Sequence, residues 1–160
     1  MLLGLIVYVW FRPPAWVSDE NRVAPEVKVV LLDGRQTSLE QLRGKVVLVN
    51  FWATWCPYCR HEMSDMARFY RDTRAQGFEI LALSQDESPD PVRQFMAKQG
   101  YHFPVAMAES GYAFVFGGVS RLPTSFLIDR RGRIRYRISG QVYYGRLESL
   151  VKPLLEEKAR

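Results

Sequence analysis

The chain has 160 residues, of which 48% are hydrophobic and 24% are charged, a balance that excludes a disordered or low-complexity protein. This length suits one folded domain with a tail and is too short for two full domains. The net charge of +5 comes mostly from scattered arginines, and residues 133–137 alternate arginine with isoleucine and tyrosine, as an exposed strand face does. Because the basic and aromatic side chains then point in opposite directions, we expect no nucleic-acid partner.

Residues 2–11 form an uninterrupted apolar run that ends at Arg12-Pro13-Pro14. As a helix, such a run covers roughly 15 Å, about half the hydrocarbon core of a bilayer. It lacks the preceding basic segment and the small-residue cleavage site of a signal peptide. Three interpretations stay open: the distal half of a membrane anchor that begins upstream, an atypical uncleaved anchor, or a buried or dimerising N-terminal element. We favour membrane association, because an exposed apolar run promotes aggregation.

Residues 12–25 are rich in proline and charge and predict a short tether. The predicted organisation is therefore an apolar N-terminal segment with its tether over residues 1–25, followed by a folded domain over residues 26–160. The domain opens with a predicted β-hairpin over residues 27–39, in which Asp33-Gly34 supplies the turn.

The next element, residues 45–51, is an almost continuous apolar run, typical of a strand buried on both faces of a sheet. Strand and helix then alternate along the chain. A helix is predicted from Cys59 to Gly77, with Met63, Met66, Ala67 and Tyr70 on its apolar face, and a strand follows over 78–84. The next predicted helix has Asp90 as N-cap and Pro91 as first residue and ends at Gly100. A hairpin of strands 122–128 and 133–138 comes next, and a last helix lies around Leu147–Leu155, where Pro153 should kink or shorten it. This order predicts an α/β domain with a central mixed β-sheet flanked by helices.

The reactive site of such a sheet is expected at the carboxyl end of the central strand, where the motif Trp55-Cys56-Pro57-Tyr58-Cys59 begins. Cys56 precedes a proline that suits the first helical position, so we expect it at the helix N-cap, facing free backbone N–H groups. That position favours a thiolate, which makes Cys56 the expected nucleophile. Cys59 lies on the buried side of the same turn and is expected to resolve a mixed disulfide.

Glu62 follows Cys59 by one helical turn, at the edge of the buried stripe. A partly buried carboxylate there could take the proton of the resolving thiol, although a solvated glutamate fits the spacing equally well. Other uses of the cysteines fail on spacing. Haem attachment needs histidine where Arg60 stands, a peroxidatic cysteine needs a hydroxyl where Ala53 stands, and His61 and His102 are the only histidines for a zinc site. We therefore predict no metal and no cofactor.

Three stretches resemble the TlpA/ResA/DsbE-type thioredoxin-like proteins: VNFWATWC at 49–56, CRHEM at 59–63 and VSRLPTSFLID at 119–129. The resemblance runs from about Glu26 to the C-terminus and implies a thioredoxin-like fold with an N-terminal hairpin extension. It implies that Pro123 is a cis-proline beside the cysteine pair and that Leu122 offers backbone hydrogen bonds to a partner chain. With these two, it assigns substrate contacts to Trp55, Pro57 and Tyr58. Asn50 stands where thioredoxin has a buried aspartate, which moves the acid to Glu62.

The resemblance further implies a disulfide reductase tethered to a bacterial inner membrane with its domain in the periplasm. Such proteins act on the dithiols or disulfides of specific proteins, including apocytochrome c thiols, and take electrons from a membrane donor. Two departures leave details open. Ser64 stands where the family has a proline, which bears on the helix kink. Pro57-Tyr58 is the dipeptide of glutaredoxins, so the redox poise and any glutathione use stay open. A disulfide oxidase or isomerase on the same fold, or a metal-handling module, stays an alternative.

Overall fold

The computed structural model describes residues 16–158. The strands are β1 (Val17–Val23), β2 (Lys28–Val30), β3 (Gln36–Ser38), β4 (Val46–Trp52), β5 (Phe78–Ser84), β6 (Val105–Met107), β7 (Thr124–Ile128) and β8 (Arg133–Ser139). The helices are α1 (Pro57–Thr73), which continues into a 3-10 turn (Arg74–Gln76), α2 (Pro89–Gln99), α3 (Tyr112–Val115) and α4 (Tyr144–Glu156). Among residues 16–158, the structure contains no helix with the length and hydropathy needed to span a bilayer.

Strand β4 lies inside a six-stranded sheet with the order β1-β8-β7-β4-β5-β6. It pairs parallel with β5 and antiparallel with β7, so the sheet is mixed. Every residue of β4 is buried, because both faces of the sheet are covered. Strands β2 and β3 form a separate antiparallel hairpin whose turn contains Gly34 at a φ of 89°. The predicted central strand, mixed sheet and hairpin extension are confirmed.

The two faces of β4 enter different cores, since successive side chains of a strand point in opposite directions. Leu48 packs with helices α1, α2 and α4 on one face. Phe51 packs on the other face with Phe116 and Phe126, whose ring centroids lie 5.0 Å apart, beneath the hairpin and α3. The C-terminal end of β4 is therefore held from both sides, and the cysteine motif follows it directly.

Strand β1 corrects the predicted boundary of the folded domain. Residues 12–25 were predicted to be a tether, but β1 pairs antiparallel with β8 at the edge of the main sheet. Only Val17 of this strand is buried, so β1 has no apolar alternation that would reveal it. Backbone pairing with β8, the Arg137–Glu20 ion pair at 2.9 Å and the hydrogen bond from Arg133 to Asn21 at 2.8 Å hold it instead. The predicted anchor segment, residues 2–11, lies outside the described residues.

Helix α2 begins earlier than predicted. Its N-cap is Ser88 and its first residue is Pro89, whereas Asp90 and Pro91 were predicted for these positions. Both prolines fall in the first turn, where a missing N–H breaks no helical hydrogen bond, and Asp90 then places its charge near the positive end of the helix. The predicted end at Gly100 is confirmed, with a φ of 67°.

Three other features differ from the sequence prediction. Strand β6 and helix α3 were not predicted, because elements of three and four residues are too short to show a period. Helix α4 is not shortened at Pro153 and runs on to Glu156. Its apolar face explains this, since Val151 and Leu154 on either side of the proline are buried in the core.

Candidate active site

The two cysteines lie at the junction between β4 and α1. Cys56 has extended backbone angles and is the N-cap of α1, Pro57 is the first helical residue, and the N–H of Cys59 donates to Cys56 Sγ at 3.2 Å. The two residues form a disulfide with their Cα atoms 5.3 Å apart. Cys56 is 6% exposed and Cys59 is fully buried. The predicted N-cap and the predicted difference in burial between the two cysteines are both confirmed.

Glu62 is fully buried, which excludes the solvated glutamate that its spacing left open. One carboxylate oxygen accepts a hydrogen bond from Asn50 Nδ2 at 2.8 Å, and the other accepts one from the backbone N–H of Val142 at 2.9 Å. Burial raises the pKa of Glu62 from 4.5 to about 8, although the bonds from Val142 and Asn50 lower it. No cation is among these partners, so this carboxyl group can gain or lose a proton near neutral pH.

Asn50 connects Glu62 to the neighbouring strand. Its amide nitrogen also donates to Ser125 Oγ at 2.9 Å, and its carbonyl oxygen is buried with no hydrogen-bond partner among residues 16–158. A buried polar atom without a partner is unusual in a core. In the sequence, Asn50 stood out only as a departure from thioredoxin. Its signal was a polar residue inside the continuous apolar run of β4.

The loop before Cys56 is fixed by Asp86, a residue that was not predicted from the sequence. The N–H and the hydroxyl of Thr54 donate to the Asp86 carboxylate at 2.9 Å and 2.5 Å, and Ser84 Oγ donates to it at 2.6 Å. Asp86 follows β5, which runs parallel to β4, so the loops after these two strands lie at the same end of the sheet. An aspartate two residues after a buried strand was the available sequence signal.

The remaining predicted site residues lie around the cysteine motif, at the end of the sheet where β4 ends. The Leu122–Pro123 peptide is cis, as the resemblance implies. Thr124, the next residue, pairs with Phe51 near the end of β4, so Pro123 lies at the same edge as the cysteine motif. Tyr58, Leu122 and Pro123 line one groove of about 580 Å³.

The two tryptophans of the motif region differ in environment. Trp55 is 65% exposed and Tyr58 is 68% exposed, so two large aromatic side chains stand in solvent beside a nearly buried Cys56. Trp52 is fully buried and its ring centroid lies 5.6 Å from that of Phe95, so it packs in the core. Exposed aromatic groups of this size are typical of surfaces that bind other molecules.

Comparisons with known proteins agree with this geometry. The AhpC/TSA family matches residues 21–137. The thiol-disulfide oxidoreductase ResA of Bacillus thuringiensis (strain Al Hakam) is 36% identical over 152 residues, which cover 95% of this chain and 88% of that protein. The ResA of Bacillus subtilis (strain 168) is 34% identical over 138 residues, covering 84% of this chain and 77% of that protein.

Solved structures give the same result. A thiol:disulfide interchange protein of the thioredoxin family from Chlorobium tepidum TLS superposes with a TM-score of 0.79 at 34% identity, covering 86% of this chain and 99% of that one. A putative thiol:disulfide interchange protein DsbE from Chlorobium tepidum superposes with a TM-score of 0.78 at 29% identity, covering 86% of this chain and 98% of that one. The fold is therefore thioredoxin-like, and the chain belongs to the AhpC/TSA family as a ResA-like thiol-disulfide oxidoreductase whose redox-active pair is Cys56 and Cys59.

Proposed function

We propose that this protein is a membrane-tethered, extracytoplasmic disulfide reductase of specific partner proteins. The observation that carries the proposed disulfide exchange is the fully buried carboxyl group of Glu62, one helical turn beyond the fully buried Cys59. A resolving thiol must lose its proton before it can attack, and a dry interior offers no water to take that proton. Glu62 supplies an acceptor at that place, with a pKa of about 8.

The reaction proceeds in two exchanges. The Cys56 thiolate attacks one sulfur of the partner disulfide, that S–S bond breaks, and one partner thiolate leaves and takes a proton from solvent. Glu62 then accepts the Cys59 proton, and the Cys59 thiolate attacks Cys56 in the mixed disulfide. The second partner thiolate leaves and is protonated, and Cys56–Cys59 is the oxidised product. Two electrons pass to the partner, so a dithiol donor must reduce the pair again, and we assign this role to a membrane protein.

Five residues around Cys56 are proposed to contact the partner chain: Trp55, Pro57, Tyr58, Leu122 and Pro123. The exposure of Trp55 and Tyr58 and the shared groove of Tyr58, Leu122 and Pro123 support this set. Leu122 lines this groove, and we propose that an extended partner segment pairs with its backbone. The resemblance to TlpA/ResA/DsbE-type proteins supports apocytochrome c thiols as one class of partner.

The membrane tether is proposed for residues 2–11. Strand β1 begins at Val17, so only a few residues separate the apolar run from the sheet, and the domain would lie close to the membrane surface. Carbonate washing of membranes tests the tether. The full-length protein should stay in the membrane pellet while a chain that begins at Trp16 is released, and release of both would end the tether proposal.

The equilibrium reduction potential of the Cys56–Cys59 pair tests the direction of electron flow. It should be measured against glutathione and dithiothreitol buffers in a chain that begins at Trp16, because β1 belongs to the sheet. A value near or below about −270 mV supports a reductase. A value near about −120 mV would reject it in favour of an oxidase. The Cys56→Ser variant, which cannot form the disulfide, is the matched control.

A further inference from the structure

The groove beside the cysteine motif is lined by residues from outside the cis-proline loop as well as by the loop itself. Tyr58 of α1, Leu122 and Pro123 form one side, and Tyr143 and Trp16 extend it towards the start of β1. Tyr143 is 53% exposed and Tyr58 is 68% exposed, so aromatic faces are available along the groove. A concave, aromatic surface of about 580 Å³ is large enough for several side chains of an extended segment.

One wall of this groove contains Gly140, Gln141 and Tyr143, and three hydrogen bonds attach this segment, residues 140–144, to α1. They join Gln141 Nε2 to His61 Nδ1 at 2.7 Å, the N–H of Val142 to Glu62 at 2.9 Å, and the N–H of Tyr144 to Asp65 at 3.0 Å. The wall is therefore fixed to the same helix that carries the cysteines. A groove that is already formed avoids the entropy loss of ordering a loop when a partner binds.

The charged side chain that lines the groove is positive. Arg121 lies in its lining, and no aspartate or glutamate from residues 16–158 does. The Arg121 side chain is exposed and makes no ion pair or hydrogen bond with any described residue, whereas the nearby Arg146 lies over the Trp16 ring at 5.7 Å. Asp65, on the adjacent helix, already has a partner in Arg68 at 2.9 Å. The positive charge at this end of the groove is thus left for a binding partner.

We propose that the groove takes an extended segment of the partner protein in which an aspartate or glutamate flanks the reacting cysteine, and that Arg121 pairs with that carboxylate. This inference rests on the disulfide exchange proposed above and names the substrate class for it. Arg121 immediately precedes Leu122, so the pairing lies beside the backbone that would receive the partner segment. Arg121 selects the substrate and takes no part in the exchange itself. An exposed pair of this kind should change the rate about 1.5- to 5-fold.

Matched disulfide peptides test the proposal. The pre-reduced full-length protein is mixed with peptides that differ only in one residue, glutamate, glutamine or lysine, placed one or two positions to either side of the cysteine. The second-order rate of thiol release should be highest for glutamate and lowest for lysine. Arg121→Gln should remove the preference, Arg121→Glu should reverse it, and added salt should reduce it.

Arg131→Glu is the control, because Arg131 is also exposed, makes no ion pair among the described residues and lies in the β7–β8 turn, at the other end of β7. It should keep the wild-type preference. Equal rates for all peptides, or the same shift in Arg131→Glu as in Arg121→Glu, would overturn the charge assignment and leave the reductase intact. Failure of the pre-reduced protein to reduce any of the peptides would overturn both proposals.

Discussion

Two glutamates of this molecule are held in opposite ways. Glu62 is fully buried, and its two hydrogen-bond donors are the neutral amide groups of Asn50 and Val142. Glu20 lies at the edge of the sheet and joins two guanidinium groups, Arg22 at 2.7 Å and Arg137 at 2.9 Å. One carboxyl group is bonded only by neutral donors, and the other is bonded by two cations.

These two environments give the two glutamates different functions. Neutral donors in a dry core leave the desolvation penalty of the carboxylate largely uncompensated, so the proton is easily taken up. Two cations at a partly solvated edge compensate it, and the result is a fixed link between β1 and β8. A residue of the same type is therefore suited to proton transfer in one place and to positioning in the other.

The largest expected effect is on the pH dependence of stability. The pKa of Glu62 is raised from 4.5 to about 8 in the folded protein, so its contribution to stability is complete below pH 4.5 and is lost as the pH rises through about 8. Urea unfolding of the oxidised protein should show a loss on the order of 4 kcal/mol across this interval. Glu62→Gln should flatten the curve, because it removes the titrating group.

Glu20→Gln is the matched control for this measurement. It should lower stability and keep the Glu62-dependent slope. A wild-type curve without that slope, or a slope that survives in Glu62→Gln, would show that Glu62 does not carry a raised pKa.

The next effect is on the resolution of the mixed disulfide. Glu62→Gln keeps the shape of the side chain and removes the proton acceptor, so release of a trapped partner by Cys59 should slow about 100-fold. In the wild type this rate should rise with pH and level off above about pH 8. Stopped-flow measurement of the mixed disulfide checks both points. An unchanged rate in Glu62→Gln would mean that Cys59 loses its proton elsewhere, and Glu20→Gln should stay within about twofold of the wild type.

The sequence was sufficient for parts whose cause is local. The buried run of β4, the proline after Cys56 and the Asp33-Gly34 turn each determine their own conformation through neighbours a few residues away. Strand β5 has the predicted limits for the same reason. These local patterns were enough to place the cysteine pair at a helix N-terminus, with Cys59 as the more buried sulfur.

The parts that could not be predicted depend on distant residues. Val142 is 80 residues from Glu62, and Asp86 is 32 residues from Thr54, so neither contact leaves a local pattern. Strand β1 is polar along most of its length and is held to β8 by residues more than 100 positions away. Periodicity detects an apolar face, and an edge strand stabilised by ion pairs does not have one.

The smallest predicted effect concerns Arg137, the partner of Glu20 on the neighbouring strand β8. Arg137 bonds Glu20 and also donates to the carbonyl groups of Gly117 and Gly118 at 3.2 Å and 3.0 Å. Gly117 has a φ of 95°, and a side chain there would lie 2.7 Å from the Arg137 guanidinium, so the loop and the arginine fit closely. Arg137→Gln should lower the free energy of unfolding by about 1 to 2 kcal/mol, measured by urea denaturation.

Because residues 116–118 lead into the loop that carries the cis-proline, Arg137→Gln should also speed amide hydrogen exchange from Gly117 to Leu122. Arg131→Gln, which removes an arginine without ion pairs among the described residues, should change stability by less than about 0.5 kcal/mol and leave that exchange unchanged. Faster exchange confined to β1 in Arg137→Gln would mean that the arginine holds only the edge strand. Faster exchange in the loop would mean that β1, through Glu20 and Arg137, helps to hold the surface on which the partner is proposed to bind.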